Sequence, residues 1–502
     1  MTPAAGGARR RLSAWDLAGA AALLALYLLS CNAVPFGQYV DDMNWLLFSE
    51  GALKGSLLRP WHHPPQLEVS LNWGVPALLM PFLAAFERPV LMLKLFMAAL
   101  FFSGLAFFYL STRSRFEGSQ LPAYAAVLFL CDFLLTFSGN IMAEPGYVFI
   151  LGLTVFLLFE RSWLESDRPW RWALLGGLAG FIVLLRSIGL VLPLAILAEL
   201  ALRRKLKEGL WFGLCAGLVV LPFTLYLATH IGQASFYAPY WSLRSQGGAA
   251  AALSGLLDNS RLYLKGLTCL TAVYLPTLAA PTGLLAKAFM AAGAVLFAAG
   301  TWRNRGSSLH RFLALYAMGH FVVCAAYVYQ APRYVVPMLP AFVFLCLEGL
   351  RALVPERFFG RALAAAALLA VATNAPLLAR TVRTSLAQPL TVAHASYDWL
   401  KAHASPEDRI VSMDMIRIHY FTGLKGRLFI PSNGPEEFAE RFRAEGFRWL
   451  VIRDAGFIPA AKGVSDPTRW FYDRLVGYAG AGGAFDLAHR DEAEGVLIYG
   501  LK

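Results

Sequence analysis

The feature that most constrains this chain is a succession of apolar runs, each closed by charge or by Pro, Gly or Asn. Crossing ~30 Å of hydrocarbon takes roughly 20 apolar residues in a helix rising ~1.5 Å per residue. On that measure about eleven runs are candidates to span, at roughly 14–34, 88–111, 119–138, 145–161, 171–186, 187–202, 208–229, 282–301, 312–329, 334–352 and 362–379. The fifth and sixth are the shortest. With 58% hydrophobic and 15% charged residues among 502, the composition fits a polytopic α-helical membrane protein, not a string of soluble domains. The net charge of +12 does not imply nucleic acid, because Lys and Arg fall in short clusters between apolar runs and form no continuous basic face.

Those clusters supply an orientation. Arg9 to Arg11, Arg113 with Arg115, Arg161 with Arg168 and Arg171, Arg203 to Lys205 with Lys207, Arg303 with Arg305 and Arg311, and Arg351 with Arg357 and Arg361 mark every second boundary. Basic residues accumulate in short cytoplasmic loops, so these boundaries are expected inside and the intervening ones outside. The basic start followed by an apolar run resembles a signal peptide. The run is long for one, however, and no small-residue cleavage site stands out, so it is expected to remain as the first span.

On the outside lies a segment of about 35–88, too long for a turn. Ser49 to Leu57 has helical spacing, and the apolar stretch from Gln66 to Phe86 holds Pro76 and Pro81. Proline kinks helices, and a span here would break the alternation of basic loops, so this stretch is expected to lie in the membrane interface. Three further external segments are predicted, around 138–145, about 230–281, and the turn from Gln330 to Tyr334, where Arg333 runs against the usual charge bias. The second of these is rich in aromatic and basic residues, among them Tyr237, Tyr240, Trp241, Arg244, Arg261 and Lys265.

The composition then shifts. Residues of roughly 1–380 form the membrane part, and 381–502 read as a small soluble C-terminal α/β domain, placed outside by the span count. Within it Tyr397 to His403 and Pro435 to Glu445 read as helices, the second followed by Gly446. Arg409 to Met413, Trp449 to Ile452 and Val496 to Tyr499 read as strands. Asp414 and His419 show no partner at sequence level and are taken as surface residues. Cys31, Cys131, Cys215, Cys269, Cys324 and Cys346 sit in or beside apolar runs with no zinc-like or disulfide-like spacing, as small buried apolar residues do.

The external face thus gathers Asp41, Asp42, His62, His63, Glu144, Arg186, Arg244, Arg261 and Arg333. A carboxylate can take the proton of an attacking hydroxyl while arginines hold a departing phosphate by paired, charge-assisted hydrogen bonds. Each residue also has a plainer use. Asp41 or Asp42 could merely pair with an arginine, Glu144 before Pro145 could cap a helix, and Arg186 or Arg333 could reach lipid headgroups. His62 and His63 are adjacent, point different ways and make a poor metal pair, so substrate contact or an interfacial position suits them better.

In the order and the common side of these residues the chain resembles the GT-C membrane glycosyltransferases, specifically the bacterial branch near protein O-mannosyltransferases and the lipid A aminoarabinose transferase. Tyr39-Val40-Asp41-Asp42 with Trp45, Gly51 and Gly55 is similar to the acidic first external loop of that family, and His63-Pro64-Pro65 to the proline pair after it. Ala143-Glu144-Pro145 resembles the second acidic motif, and Arg333-Tyr334 with Pro337 and Pro340 the start of a late helix. The resemblance covers roughly residues 14–350. It implies a GT-C fold and an inverting transfer of a sugar from a polyprenyl-phosphate-linked donor to a lipid, glycan or protein acceptor outside the bacterial cytoplasmic membrane. It further implies Asp41, Asp42 and Glu144 as catalytic residues, with Asp41 the aligned base, and His62, His63, Arg244, Arg261, Arg333 and Tyr334 as substrate contacts. Some relatives hold a divalent cation at the acidic site, for which Asp42 and Glu144 would be the ligands here. Asp42 stands where Glu is more frequent, which leaves open which of the two aspartates meets the acceptor. The alternatives are a polytopic lipid or polysaccharide transporter, which would show repeated halves and midplane charges, and a non-catalytic cell-envelope assembly protein.

Overall fold

The computed structural model describes residues 14–69, 71–230, 248–268, 284–327, 332–392, 394–430, 432–453, 467–481 and 483–502. Each predicted span coincides with helix. Among the described residues six helices are long and apolar enough to cross a membrane, and a seventh span arises if Gln120–Phe129 and Asp132–Ser138, bent by 53° at their junction, count as one. Shorter apolar helices, Asp16–Leu29, Pro169–Leu185 and Ser187–Leu202, occupy the first, fifth and sixth runs, and Leu284–Arg303 the eighth. The chain is a multi-pass helical membrane protein with a small sheet-containing domain at its C-terminus.

With no hydrophobic force to drive helix against helix inside lipid, close packing through small residues takes its place. The Val90–Thr112 and Ala143–Val155 helices cross where Gly104 meets Gly152, and a Cβ on Gly152 would lie 1.9 Å from the Gly104 carbonyl oxygen. That contact fixes the helix whose first turn carries Glu144. Ahead of the bundle, Val40–Leu53 and Gly74–Ala85 are helices too short to span, as expected of interfacial pieces. The acidic stretch is therefore no loop, because Asp41 and Asp42 form the first turn of Val40–Leu53.

The last long helix runs unbroken from Glu356 to Ala387 and delivers the chain to a five-stranded sheet. Its strands are β1 Arg409–Val411, β2 Lys425–Arg427, β3 Trp449–Arg453, β4 Phe485–Asp491 and β5 Val496–Leu501, in spatial order β2-β1-β3-β5-β4. β1 runs parallel to β2 and β3, whereas β5 is antiparallel to β3 and β4. Alternation along the strands splits the buried residues cleanly. Ile410, Trp449, Val451 and Ile498 join a core continuous with that of the membrane helices. Val411, Leu450 and Ile452 face a separate core closed by Phe438, Phe442 and Tyr478. The Ile410 face of the sheet is covered by the helices Ala395–His403 and Met415–Thr422, and the second of these packs on Val40–Leu53, joining the domain to the bundle.

Backbone pairing reinforces the seat. Phe36 exchanges hydrogen bonds with Leu390 and Val392, and His62 bridges in parallel to Gly426 on the edge strand β2. Asp414 is the clearest departure from the sequence reading. Expected at the surface, it is 5% exposed and accepts hydrogen bonds from Arg417, Arg453 and the Tyr397 hydroxyl. Arg417 lies three residues on in Met415–Thr422, whereas Tyr397 of Ala395–His403 and Arg453 of β3 are distant in sequence, beyond any local pattern. His419 is also partly buried, with its Nδ1 against the Leu424 carbonyl.

Candidate active site

Four segments converge at one end of the bundle, the end that the basic-loop alternation predicts to be external. The first turn of Val40–Leu53 brings Asp41, and the first turn of Ala143–Val155 brings Glu144. The break between Pro169–Leu185 and Val191–Leu202 brings Arg186, and the 3-10 turn Pro332–Met338 brings Arg333 and Tyr334. Pro145 and Pro332 stand at the start of two of these segments, and each of the four lies at a helix end, where first or last backbone groups lack helical partners.

Arg333 is the hub. Its guanidinium pairs with Asp41, lies 3.7 Å from Glu144 Oε1 and donates from Nη1 to the Met142 sulfur at 3.0 Å. Its Nε, although buried, has no hydrogen-bond partner among the described residues. Glu144 is 2% exposed and receives Arg186. Its carboxylate is therefore engaged by a side chain, which favours the charge-pairing reading over simple capping. The Tyr334 ring lies between the two arginines, 4.1 Å from the Arg186 guanidinium carbon and 5.9 Å from that of Arg333. Stacking of this kind holds a guanidinium plane while leaving its N–H edge free. Asp41, at 53% side-chain exposure, is the accessible carboxylate of the group.

Asp42 behaves differently. It is 4% exposed, and its two oxygens accept the Gly37 and Met43 amides at 2.8 and 2.7 Å. Burial pushes its carboxyl up to about 7 against the opposing pull of the Gly37 and Met43 amides, Lys94 and Arg417. It ties the turn at Gly37 to the helix that presents Asp41.

His62 and His63 lie apart from this cluster, against the terminal domain. The His63 amide donates to the Gly426 carbonyl at 2.8 Å, and His62 Nδ1 donates to the Pro64 carbonyl at 2.7 Å. Burial, with nearby arginines, lowers the pKa of both. Arg261 is exposed on Gly248–Thr268 and pairs with Asp258 at 3.6 Å. Arg244, the aromatic residues Tyr237 to Trp241, and Cys269 lie outside the described residues. Arg186, for which the sequence left open a place in the external group or a headgroup contact, lies in the cluster. Its signal was the one Arg333 also carries, an arginine at a boundary expected outside, against the charge bias.

A divalent cation does not fit these ligands. Asp42 spends both oxygens on backbone amides, and Glu144 faces two guanidinium groups whose charges would repel a metal ion. No group of three or more His, Cys, Asp or Glu suited to a metal occurs among the described residues. What the cluster suits is an anion beside an accessible base.

No protein-family model and no curated protein matches the chain. Solved structures do. The oligosaccharyltransferase of Archaeoglobus fulgidus in its apo form aligns with a TM-score of 0.57 at 14% identity, over 88% of this chain and 70% of that one. ArnT from Cupriavidus metallidurans aligns over 97% of both chains, with a TM-score of 0.56 and 11% identity when bound to undecaprenyl phosphate. Its apo state gives 0.57 and 12%. At such identities the likeness is one of fold, and the chain has the GT-C fold, with a small sheet domain at its C-terminus.

Proposed function

We propose that this chain is an inverting glycosyltransferase that moves a sugar from a polyprenyl-phosphate-linked donor to a hydroxyl or similar group of a lipid, glycan or protein acceptor, at the periplasmic face of a bacterial inner membrane. The observation that carries the reading is the cluster of Asp41, Glu144, Arg186 and Arg333 at one end of a GT-C bundle. ArnT from Cupriavidus metallidurans binds undecaprenyl phosphate, and the Archaeoglobus fulgidus oligosaccharyltransferase has been seen with a dolichol-phosphate and with a tethered acceptor peptide. A lipid phosphate and a polar acceptor are accordingly the ligand classes proposed here.

In the proposed step the acceptor oxygen attacks the anomeric carbon while its proton passes to the Asp41 carboxylate. The bond from that carbon to the phosphate oxygen breaks, and the lipid phosphate departs with the electron pair. Arg333 and Arg186 neutralise the charge gathering on that phosphate, as preorganised donors do most effectively where water is scarce. Glu144 keeps the two guanidinium groups together despite their mutual repulsion. Asp42 shapes the turn that holds Asp41 and takes no proton from the acceptor. Tyr334 stacks against the arginines, and His62 and His63 belong to the seam with the terminal domain.

The test is transfer by purified protein presented with a panel of polyprenyl-phosphate sugars, comparing wild type with Asp41→Asn, Asp42→Asn and Glu144→Gln. Loss in Asp41→Asn and Glu144→Gln is expected, and unchanged transfer in all three sinks the reading. Reporter fusions after Gly247 and Lys502 are expected to be active outside the cytoplasm. A cytoplasmic C-terminus overturns the assigned face.

A further inference from the structure

The turn ahead of the acidic helix is gripped from two sides. Gly37 has φ +89°, and a Cβ there would lie 2.2 Å from the Met43 terminal methyl, so only glycine serves. Its amide donates to Asp42, five residues on, at 2.8 Å. Its carbonyl accepts from Nε of Arg417 at 2.6 Å, and the Gln38 carbonyl accepts from Nη2 of the same side chain, also at 2.6 Å. The remaining Arg417 donor, Nη1, reaches Asp414 Oδ1 at 2.5 Å. Asp414 is itself buried and braced on its other oxygen by Arg453 at 3.0 Å and by the Tyr397 hydroxyl. A carboxylate inside the terminal domain thus aims a guanidinium at two consecutive carbonyls just upstream of Asp41.

Docking of the domain does not depend on this contact. The ladder bonds of Phe36 with Leu390 and Val392, those joining Trp61 and His63 to Gly426, and the shared core already seat it. Arg417 adds a hold on the place where the acidic helix begins. Three donors in one rigid plane constrain position more tightly than an ammonium could.

We propose that Arg417 is a positioning residue, which through the carbonyls of Gly37 and Gln38 sets Asp41 against Arg333 and so makes the terminal domain a working part of the transfer site. The inference rests on the reading of Asp41 as the base. Misplacement of a reacting group by ~1 Å costs up to about 10²-fold.

Arg417→Ala in the full-length protein is expected to lower kcat by about 10- to 10²-fold while the KM for the polyprenyl-phosphate sugar moves by no more than about twofold. Arg417→Lys should restore part of the rate. Hydrogen–deuterium exchange should quicken across residues 37–46 and stay unchanged across Ala143–Val155. In an Asp41→Asn background, Arg417→Ala should cost less than about twofold more, since both changes disable one group. Multiplicative losses in that background, or unaltered exchange across 37–46, overturn the proposal. If Asp41→Asn alone transfers sugar at the wild-type rate, the catalytic reading fails, and the exchange data still decide whether Arg417 holds the turn. Should Arg417→Ala not insert, Asp414→Asn removes the charge that aims the guanidinium while keeping the side-chain shape, and the same two readouts apply.

Discussion

Two ends of the bundle bury glutamates among arginines, yet they use them differently. At the end predicted to face the cytoplasm, Glu348 accepts from Arg351 at 2.8 Å, Arg115 at 3.1 Å and Asn304 at 3.3 Å, with His310 also at 3.3 Å. Nearby Glu199 is held by Arg203 at 3.0 Å and twice by Arg311, at 2.7 and 3.2 Å. At the opposite end Glu144 takes a hydrogen bond from Arg186 alone among the described residues, with Arg333 Nε no nearer than 3.7 Å, and Asp41 stays half exposed. One end surrounds its glutamates with several protein donors, whereas the other leaves Glu144 with one hydrogen bond and Asp41 open to solvent. Burying unpaired polar groups is costly, so the unsaturated end is where a ligand would complete the set.

That contrast breaks most directly through Asp41. If it accepts the acceptor proton, Asp41→Asn should lower kcat by about 10²- to 10⁴-fold, the range of general-base contributions, with an unchanged melting temperature. Transfer assays normalised to folded protein provide the check. A large fall in melting temperature in place of a rate loss would make the external cluster structural as well.

The converse change is Glu348→Ala. It leaves Arg115, Arg351 and His310 around a buried vacancy, and breaking such a pair typically costs about 3–5 kcal/mol. Thermal unfolding in detergent should show a clear drop in midpoint, while the rate per folded molecule stays within about twofold because nothing at that end touches substrate. A collapse in turnover of the folded fraction would erase the distinction between the two ends.

Smaller, but sharper, is Arg333→Lys. The variant keeps charge for Asp41 and loses the planar fork, so donor affinity should weaken by about tenfold, near the ~1.4 kcal/mol value of one good charge-assisted hydrogen bond. Binding of a polyprenyl phosphate, measured without acceptor, separates this loss from any effect on chemistry.

What the sequence could reveal followed from how local its signals are. Span length is dictated by bilayer thickness, so the apolar runs met helices throughout. Asp41, Glu144 and Arg333 were visible as charges at span boundaries, where each must be used or hydrated. Arg186 was visible in the external group, but its pairing with Glu144 was not, because the two lie 42 residues apart. Asp414 was hidden for the same reason, its partner Arg453 being 39 residues on, and the contact of Arg417 with Gly37 spans 380. β4 escaped because Phe485 is buried but the next three residues are exposed on an edge strand, so no alternation marks it. The role of Asp42 needed the left-handed turn at Gly37, which an adjacent pair of aspartates cannot announce.

The subtlest prediction concerns that same residue and separates the two neighbouring aspartates. Burial raises the Asp42 carboxyl from 3.8 to about 7. In the folded protein it therefore holds its proton across a range where the unfolded chain has lost it. More protons bound to the folded state means that stability falls as pH rises from about 4 to about 7, and is flat above. Asp42→Asn keeps an oxygen for the Gly37 amide and removes the ionisation, so its unfolding midpoint should vary less than that of wild type over this window. Transfer at neutral pH should persist, in contrast to Asp41→Asn. A pH series of unfolding midpoints for both variants decides the matter: an unchanged wild-type slope in Asp42→Asn means that another group sets it, and loss of transfer in that variant returns Asp42 to the candidates for the base.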